Sequence, residues 1–134
     1  MISDSLHILT MFIGTNNTLS SLGGMFRHSE LSFIGHITEK AMAGLRADKV
    51  IFGIRAISLE HGLTNDYLPE AMTDRAILKV GKQVILVADH TKFARVSTSF
   101  VAPLAMIHTL VTDRGTSVEL LEDVRALGIE VILA

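Results

Sequence analysis

The sequence predicts an α/β protein built on a doubly wound, mostly parallel sheet in three layers. Short apolar runs rich in β-branched residues alternate with longer helical stretches, which is the order that βαβ units produce. The runs are continuously apolar, as strands covered on both faces are. Apolar residues form 49% of the 134-residue chain, yet no run approaches the roughly 18 residues of a membrane span. We therefore expect one domain over residues 1–134, with no membrane segment.

The elements follow in order from local patterns. A helix is predicted over residues 5–13, a weaker strand over 18–22 and a second helix over 33–45. A third helix, over 68–80, carries Pro69 in its first turn, where the missing N–H is tolerated. Apolar runs bounded by glycine or charged residues predict four further strands, over residues 50–54, 84–88, 109–111 and 130–133.

The last helix, over residues 117–127, has the clearest ends. Thr116 or Ser117 can cap it, Glu119 lies near its positive end and Gly128 follows its C-terminus. One apolar face is predicted for this helix, made by Leu120, Leu121, Val124 and Leu127.

Composition excludes several classes of function. The net charge is −2 and the charges are interleaved, so no basic stripe is available for direct contact with nucleic acid. The chain has no cysteine, which excludes disulfides and thiolate chemistry. The N-terminal residues do not show the basic and apolar segments of a secretion signal. We expect a cytoplasmic protein.

The segment Val87-Ala-Asp-His-Thr-Lys-Phe93 is the strongest candidate for a site. A buried strand there ends on Asp89, and Lys92 follows three residues later. Polar groups at the carboxyl end of a buried strand are typical of small-ligand sites in α/β sheets. Lys92 would then contact an anionic group while Asp89 orients it or a ligand hydroxyl. Alternatively, Asp89 caps the next turn and Lys92 is a solvated surface charge.

Three other segments carry weaker signals. Gly23-Gly24 permits close approach of a ligand to the backbone, or simply makes a tight turn. Arg55 can clamp a phosphate or carboxylate, or pair with Glu60 or Asp66 and hold the following loop. Residues 62–66, which begin with Gly62, predict a polar loop able to bind sugar hydroxyls, or an ordinary loop.

Motifs for metal and cofactor chemistry are absent. The six histidines show neither H-x-H nor H-E-x-x-H spacing. The sequence contains no G-x-S-x-G, Walker or G-x-G-x-x-G pattern. We predict no metal site and no cofactor.

The order and spacing of seven segments resemble the effector-sensing C-terminal domain of DeoR-type transcriptional regulators. The similarity is spread over nearly all of the chain, and the 87–93 segment resembles the family's Ala-Asp-x-x-Lys-Phe signature. The other six segments are Ser3-Asp4-Ser5-Leu6, Leu22-Gly23-Gly24, Phe33-Ile34-Gly35, residues 48–53, Glu60-His61-Gly62-Leu63-Thr64 and Leu110-Val111-Thr112-Asp113.

The resemblance implies a fold shared with sugar-phosphate isomerases and CoA transferases, and a phosphorylated sugar or related metabolite as effector. Carried over to this sequence, the pocket would include Asp4, Ser5, Gly23, Gly24, Gly62, Asp89 and Lys92, with Arg55 as a further candidate. Asp4 stands where the family usually has Asn, and a carboxylate there repels phosphate unless it is paired or protonated. Arg55 would compensate as its partner or as a phosphate ligand.

The resemblance also implies segments that this sequence does not show. Family members carry a winged helix-turn-helix, a linker and a first strand with an Asp-x-Gly-Thr-Thr phosphate loop before the position of Met1. We therefore expect DNA contact only through a helix-turn-helix outside these residues, and no autonomous repressor activity. A sheet without its first strand exposes backbone and apolar surface, which predicts a homo-oligomer or a strand borrowed from a partner.

Two alternatives remain open at this point. One is a small phosphosugar isomerase, with Asp89 or Asp113 as base and Lys92 stabilising an enediolate. The other is an oligomerisation module without ligand, in which these polar groups only cap strands.

Overall fold

Two units, Met1–Leu45 and Arg46–Ala134, divide the chain in the computed structural model, which describes every residue from 1 to 134. The first unit holds two small sheets and two helices. Its elements are β1 (Ile2–Ser3), α1 (Leu6–Met11), β2 (Ser20–Ser21), β3 (Met25–Arg27), β4 (Ser32–Ile34) and α2 (His36–Ala43). β1 and β2 pair in parallel, whereas β3 and β4 form an antiparallel hairpin. The single domain expected over residues 1–134 stays a prediction.

The second unit is organised around a four-stranded parallel sheet in the order β11–β10–β8–β5. A three-stranded antiparallel sheet, β6–β7–β9, lies in the same unit. The elements of the second unit are β5 (Ala47–Phe52), β6 (Ala56–Ser58), β7 (Gly62–Asn65), α3 (Leu68–Leu78), β8 (Gly81–Val87), β9 (Ser99–Ala102), β10 (Thr109–Thr112), α4 (Val118–Ala126) and β11 (Glu130–Leu133). Since α3 packs against both sheets and α4 against β11, the predicted α/β fold with a mostly parallel sheet and flanking helices is confirmed.

The core lies on one face of the parallel sheet. Phe52, Leu86 and Leu110 are aligned across β5, β8 and β10, and all three are buried in one cluster with residues of α3 and α4. On the opposite face Ile51 is 73% exposed and Ile132 is 45% exposed, whereas Thr109 is only 3% exposed. Cover on this face is therefore uneven from one strand position to the next.

Local signals predicted the last helix well. Ser117 caps α4 by accepting a hydrogen bond from the Leu120 amide (3.3 Å), and Gly128 follows it with φ of +82°. Leu127 was predicted on the apolar face of this helix, but it lies at the end of the helix and 48% of its surface is exposed.

Two predicted elements differ from the structure where strand pairing overrides the local pattern. The helix predicted over residues 33–45 begins only at His36, because Phe33 and Ile34 pair with β3. Residues 62–66 were predicted as a loop, but Gly62–Asn65 form the buried strand β7 between β6 and β9. Neither β6 nor β9 was predicted; both pair with β7, which was itself predicted as a loop.

Candidate functional site

The carboxyl ends of β8 and β10 lie side by side and carry two aspartates. Val87 pairs with Val111, and the Ala88 amide donates to the Val111 carbonyl at 3.0 Å. Asp89 and Asp113 follow directly on these neighbouring strands. The parallel topology therefore brings together two carboxylates that are 24 residues apart in the sequence.

Asp89 caps the short 3₁₀ turn His90–Lys92. Its Oδ1 accepts a hydrogen bond from the Thr91 amide at 2.8 Å and a second, shorter one from the Thr91 hydroxyl. These two bonds lower the pKa of Asp89, the hydroxyl contributing most, and the positive charge of Lys92 lowers it further. The capping role considered for Asp89 is therefore confirmed, and a ligand-orienting role stays a prediction.

Lys92 is the cation that this turn presents. Its side chain is half-buried, and its ammonium forms no hydrogen bond and no ion pair within the protein. An ammonium without a partner is available to an anionic ligand.

His90 and Asp113 form a pair that was not predicted, although Asp113 was named as a candidate base of the alternative isomerase. Asp113 Oδ1 accepts a hydrogen bond from the His90 amide at 3.0 Å, and its Oδ2 lies 2.7 Å from His90 Nδ1. The bond to the imidazole is the main reason why the pKa of Asp113 is lowered. The only signal in the sequence was the position of Asp113 at the end of a second predicted strand.

Arg55 follows β5, the strand next to β8. Its Nε lies 3.4 Å from Asp66 Oδ2, and both side chains are partly exposed. This is one of the two ion pairs that were considered for Arg55. Its role as a ligand contact is untested.

Gly62 has a structural reason to be glycine. Its φ is +71°, and a Cβ at this position would collide with the Ala102 carbonyl oxygen and lie 3.1 Å from Pro103 Cα. The polar groups that follow in β7 bond within the protein. Thr64 Oγ1 accepts from the Ser97 amide at 2.8 Å, and Asn65 Nδ2 donates to Asp74 Oδ2 at 2.9 Å. Thr64 and Asn65 are both buried in these contacts, so the segment is a strand and not the predicted polar loop. A ligand contact at Gly62 stays a prediction.

The remaining four predicted residues lie in the first unit. Burial raises the pKa of Asp4, although hydrogen bonds from its own amide and that of Ser5 act in the opposite direction. Ser5 caps α1 by accepting from the Ile8 amide at 3.3 Å. Gly23 and Gly24 both have positive φ, and the Gly23 carbonyl accepts from the Thr38 hydroxyl at 2.7 Å. That these four residues share one pocket with Asp89 and Lys92 stays a prediction.

Comparison with known proteins decides the family. The chain matches the model of the DeoR C terminal sensor domain over residues 1–114. It belongs to the DeoR sensor-domain family. A putative aga operon transcriptional repressor of Escherichia coli O157:H7 is 32% identical over 111 residues, covering 83% of this chain and 41% of the relative. The transcriptional repressor AccR of Agrobacterium fabrum is 34% identical over 104 residues, covering 77% and 40%.

A third relative is the glycerol-3-phosphate regulon repressor of Escherichia coli K12, 29% identical over 126 residues, which covers 88% of this chain and half of the relative. The chain thus spans two fifths to one half of the length of these three repressors. Asp89, His90, Lys92 and Asp113 all fall inside the residues matched to the DeoR sensor domain.

Two further findings bear on the kind of site. No group of three or more His, Asp or Glu side chains is arranged to hold a metal ion. None of the helices has the length and apolar character needed to cross a membrane.

Proposed function

We propose that this DeoR sensor domain binds a phosphorylated sugar or a related phosphorylated metabolite at the carboxyl edge of its parallel sheet. The observation that carries the proposal is Lys92, a half-buried residue whose ammonium has no partner within the protein and which lies on a capped turn beside Asp89. A charge-assisted hydrogen bond to phosphate suits this ammonium, and a carboxylate nearby suits a sugar hydroxyl. One of the relatives, the glycerol-3-phosphate regulon repressor, bears the name of a metabolite of this chemical class.

Calorimetric titration tests the proposal directly. Ribose 5-phosphate, glucosamine 6-phosphate and glycerol 3-phosphate serve as probes, with inorganic phosphate as the comparison. We expect saturable binding of at least one organic phosphate, accompanied by thermal stabilisation, because a ligand of the native state alone raises its stability. The absence of binding by all three probes would refute the proposal.

Lys92→Met identifies the contact. Since hydrogen bonds to charged groups contribute about 1.5–3 kcal/mol, we expect its loss to weaken binding by roughly tenfold or more. Lys82→Met is the matched control, because Lys82 is an exposed lysine whose ammonium lies 3.3 Å from Asp48 Oδ1. If the two variants bind with equal affinity, Lys92 does not contact the ligand.

The lowered pKa of the two candidate bases, Asp89 and Asp113, favours a regulatory function over isomerisation. Hydrogen bonds lower the pKa of both Asp89 and Asp113, whereas an efficient general base at neutral pH needs a raised pKa. The relatives named above are repressors. We therefore propose that effector binding alters DNA engagement by a helix-turn-helix domain linked to this sensor. Turnover of ribose 5-phosphate or glucosamine 6-phosphate by the purified chain would contradict this choice.

We also propose that the chain self-associates. β5 is an edge strand of the parallel sheet, and the sheet exposes Ile51, Val87 and Ile132 on one face. An open edge and an apolar sheet face both favour association. Analytical ultracentrifugation of the wild type and of Ile51→Lys should show weaker association for the variant. A monomeric wild type over a wide concentration range would contradict the proposal.

A further inference from the structure

The turn that carries Lys92 is tied to its neighbouring strand by one side chain. Asp113, at the end of β10, accepts one hydrogen bond from the amide N–H of His90 and another from its imidazole N–H. Because an ionised carboxylate only accepts hydrogen bonds, His90 Nδ1 carries a proton in this contact. The backbone and the side chain of one residue are thus held by one carboxylate.

The other bonds of the turn do not replace this tie. Both bonds to the Asp89 carboxylate come from Thr91, within the turn itself, and the Lys92 amide donates to the Asp89 main-chain carbonyl at 3.1 Å. Phe93 is buried and forms a bridge with Ile57, which fixes the chain only after Lys92. His90 is therefore the residue that anchors the first half of the turn.

Gly115 leaves the space that the imidazole occupies. A Cβ at Gly115 would lie 2.5 Å from His90 Nδ1 and 2.7 Å from its Cγ, distances that a side chain cannot tolerate without moving the ring. The loop after β10 therefore supplies both the acceptor and the room for the ring.

We propose that the His90–Asp113 pair is a positioning element that holds Lys92 where the effector anion binds. This inference rests on the proposed function and adds a residue pair outside the predicted contact set. It requires the pair to act through the position of the turn, so that an N–H donor in place of Nδ1 should preserve effector affinity.

Three variants of the full chain test the inference by calorimetry with the same three organic phosphates. His90→Ala removes the donor, and we expect affinity to fall about tenfold, the effect of losing one hydrogen bond to a charged group. His90→Asn keeps an N–H donor near the position of Nδ1, and its affinity should remain within about threefold of the wild type. His28→Asn, in an exposed turn of the first unit, is the control and should leave affinity unchanged.

Amide hydrogen exchange supplies a second readout that does not need a ligand. In His90→Ala the Lys92 amide should exchange at least about tenfold faster than in the wild type, and His90→Asn should restore protection. Gly115→Ala should act like His90→Ala, since it displaces the ring without removing it.

The outcomes separate the two proposals. If the wild type binds and His90→Ala binds equally well, the positioning role is refuted while the sensor function stands. Failure of the Asn variant to restore affinity would also refute it, because a donor alone would then be insufficient. If the wild type binds no organic phosphate, the sensor function and the positioning role fail together, whatever the exchange rates show.

Discussion

Replacing Gly62 with alanine should destabilise the second unit more than a change of one methyl group suggests. Gly62 begins β7 with φ of +71°, and an added Cβ would collide with the backbone of Ala102 and approach Pro103. Gly128 has a similar φ of +82°, but a Cβ there meets no atom within 4 Å. The two glycines therefore separate the effect of backbone conformation from the effect of collision.

The expected magnitudes follow from this comparison. An L-residue in the left-handed region costs about 1–2 kcal/mol, which is the whole effect expected for Gly128→Ala. Gly62→Ala carries the same conformational cost and must also displace backbone at the end of β9. Forcing extra atoms into a packed site costs about 1–3 kcal/mol more. The free energy of unfolding should thus fall by roughly 2–5 kcal/mol for Gly62→Ala.

Urea denaturation followed by circular dichroism measures both variants against the wild type. Equal losses for the two variants would refute the argument, because the collision at Gly62 would then have no energetic consequence. A folded Gly62→Ala variant of wild-type stability whose organic phosphate affinity alone is reduced would instead assign this glycine to the ligand, as the family resemblance implies.

Three further predictions concern polar groups. Asn65→Ala breaks the buried bond to Asp74 and should lower the free energy of unfolding by about 2 kcal/mol in urea denaturation, whereas Asn17→Ala at an exposed site should change it by less than about 0.5 kcal/mol. Asp113 has a lowered pKa, so its stabilising contribution is present at neutral pH and is lost as the pH falls through that pKa; Asp113→Asn should flatten the acid limb of a stability–pH curve. Asp4 has a raised pKa, so its ionisation opposes folding as the pH rises through that value; Asp4→Asn should raise the melting temperature at pH 7 but not at pH 3.

Elements with local signals could be predicted from the sequence. The last helix has a serine cap, an acidic residue in its first turn and a glycine after its end, and α4 lies between Ser117 and Leu127 as these signals indicate. The strands of the parallel sheet could also be located, because short apolar runs identify them without knowledge of their partners. Their bounds moved by up to three residues where polar residues such as Asp48 extend β5 along the edge of the sheet.

Features that depend on distant partners could not be predicted. β7 looks polar in the sequence, but Thr64 and Asn65 are buried because Ser97 and Asp74 satisfy them. The His90–Asp113 contact joins residues 23 positions apart and exists only because β8 and β10 are neighbours in the sheet. Sequence spacing pointed to Asp89 and Lys92, which lie on one turn, and indicated Asp113 only as an alternative base, without its contact to His90.

The charges of Lys92, Asp89 and Asp113, at the carboxyl edge of the parallel sheet, favour a ligand that combines an anion with hydroxyl groups. Asp89 and Asp113 keep their negative charge at neutral pH, because hydrogen bonds lower the pKa of both. Inorganic phosphate would be attracted by the ammonium of Lys92 but repelled by both carboxylates. A sugar phosphate can place its phosphate on Lys92 and turn hydroxyl donors toward the carboxylates, whose remaining lone pairs still accept hydrogen bonds. Tighter binding of the organic phosphates than of inorganic phosphate is therefore what distinguishes an effector site from a lysine that attracts any anion.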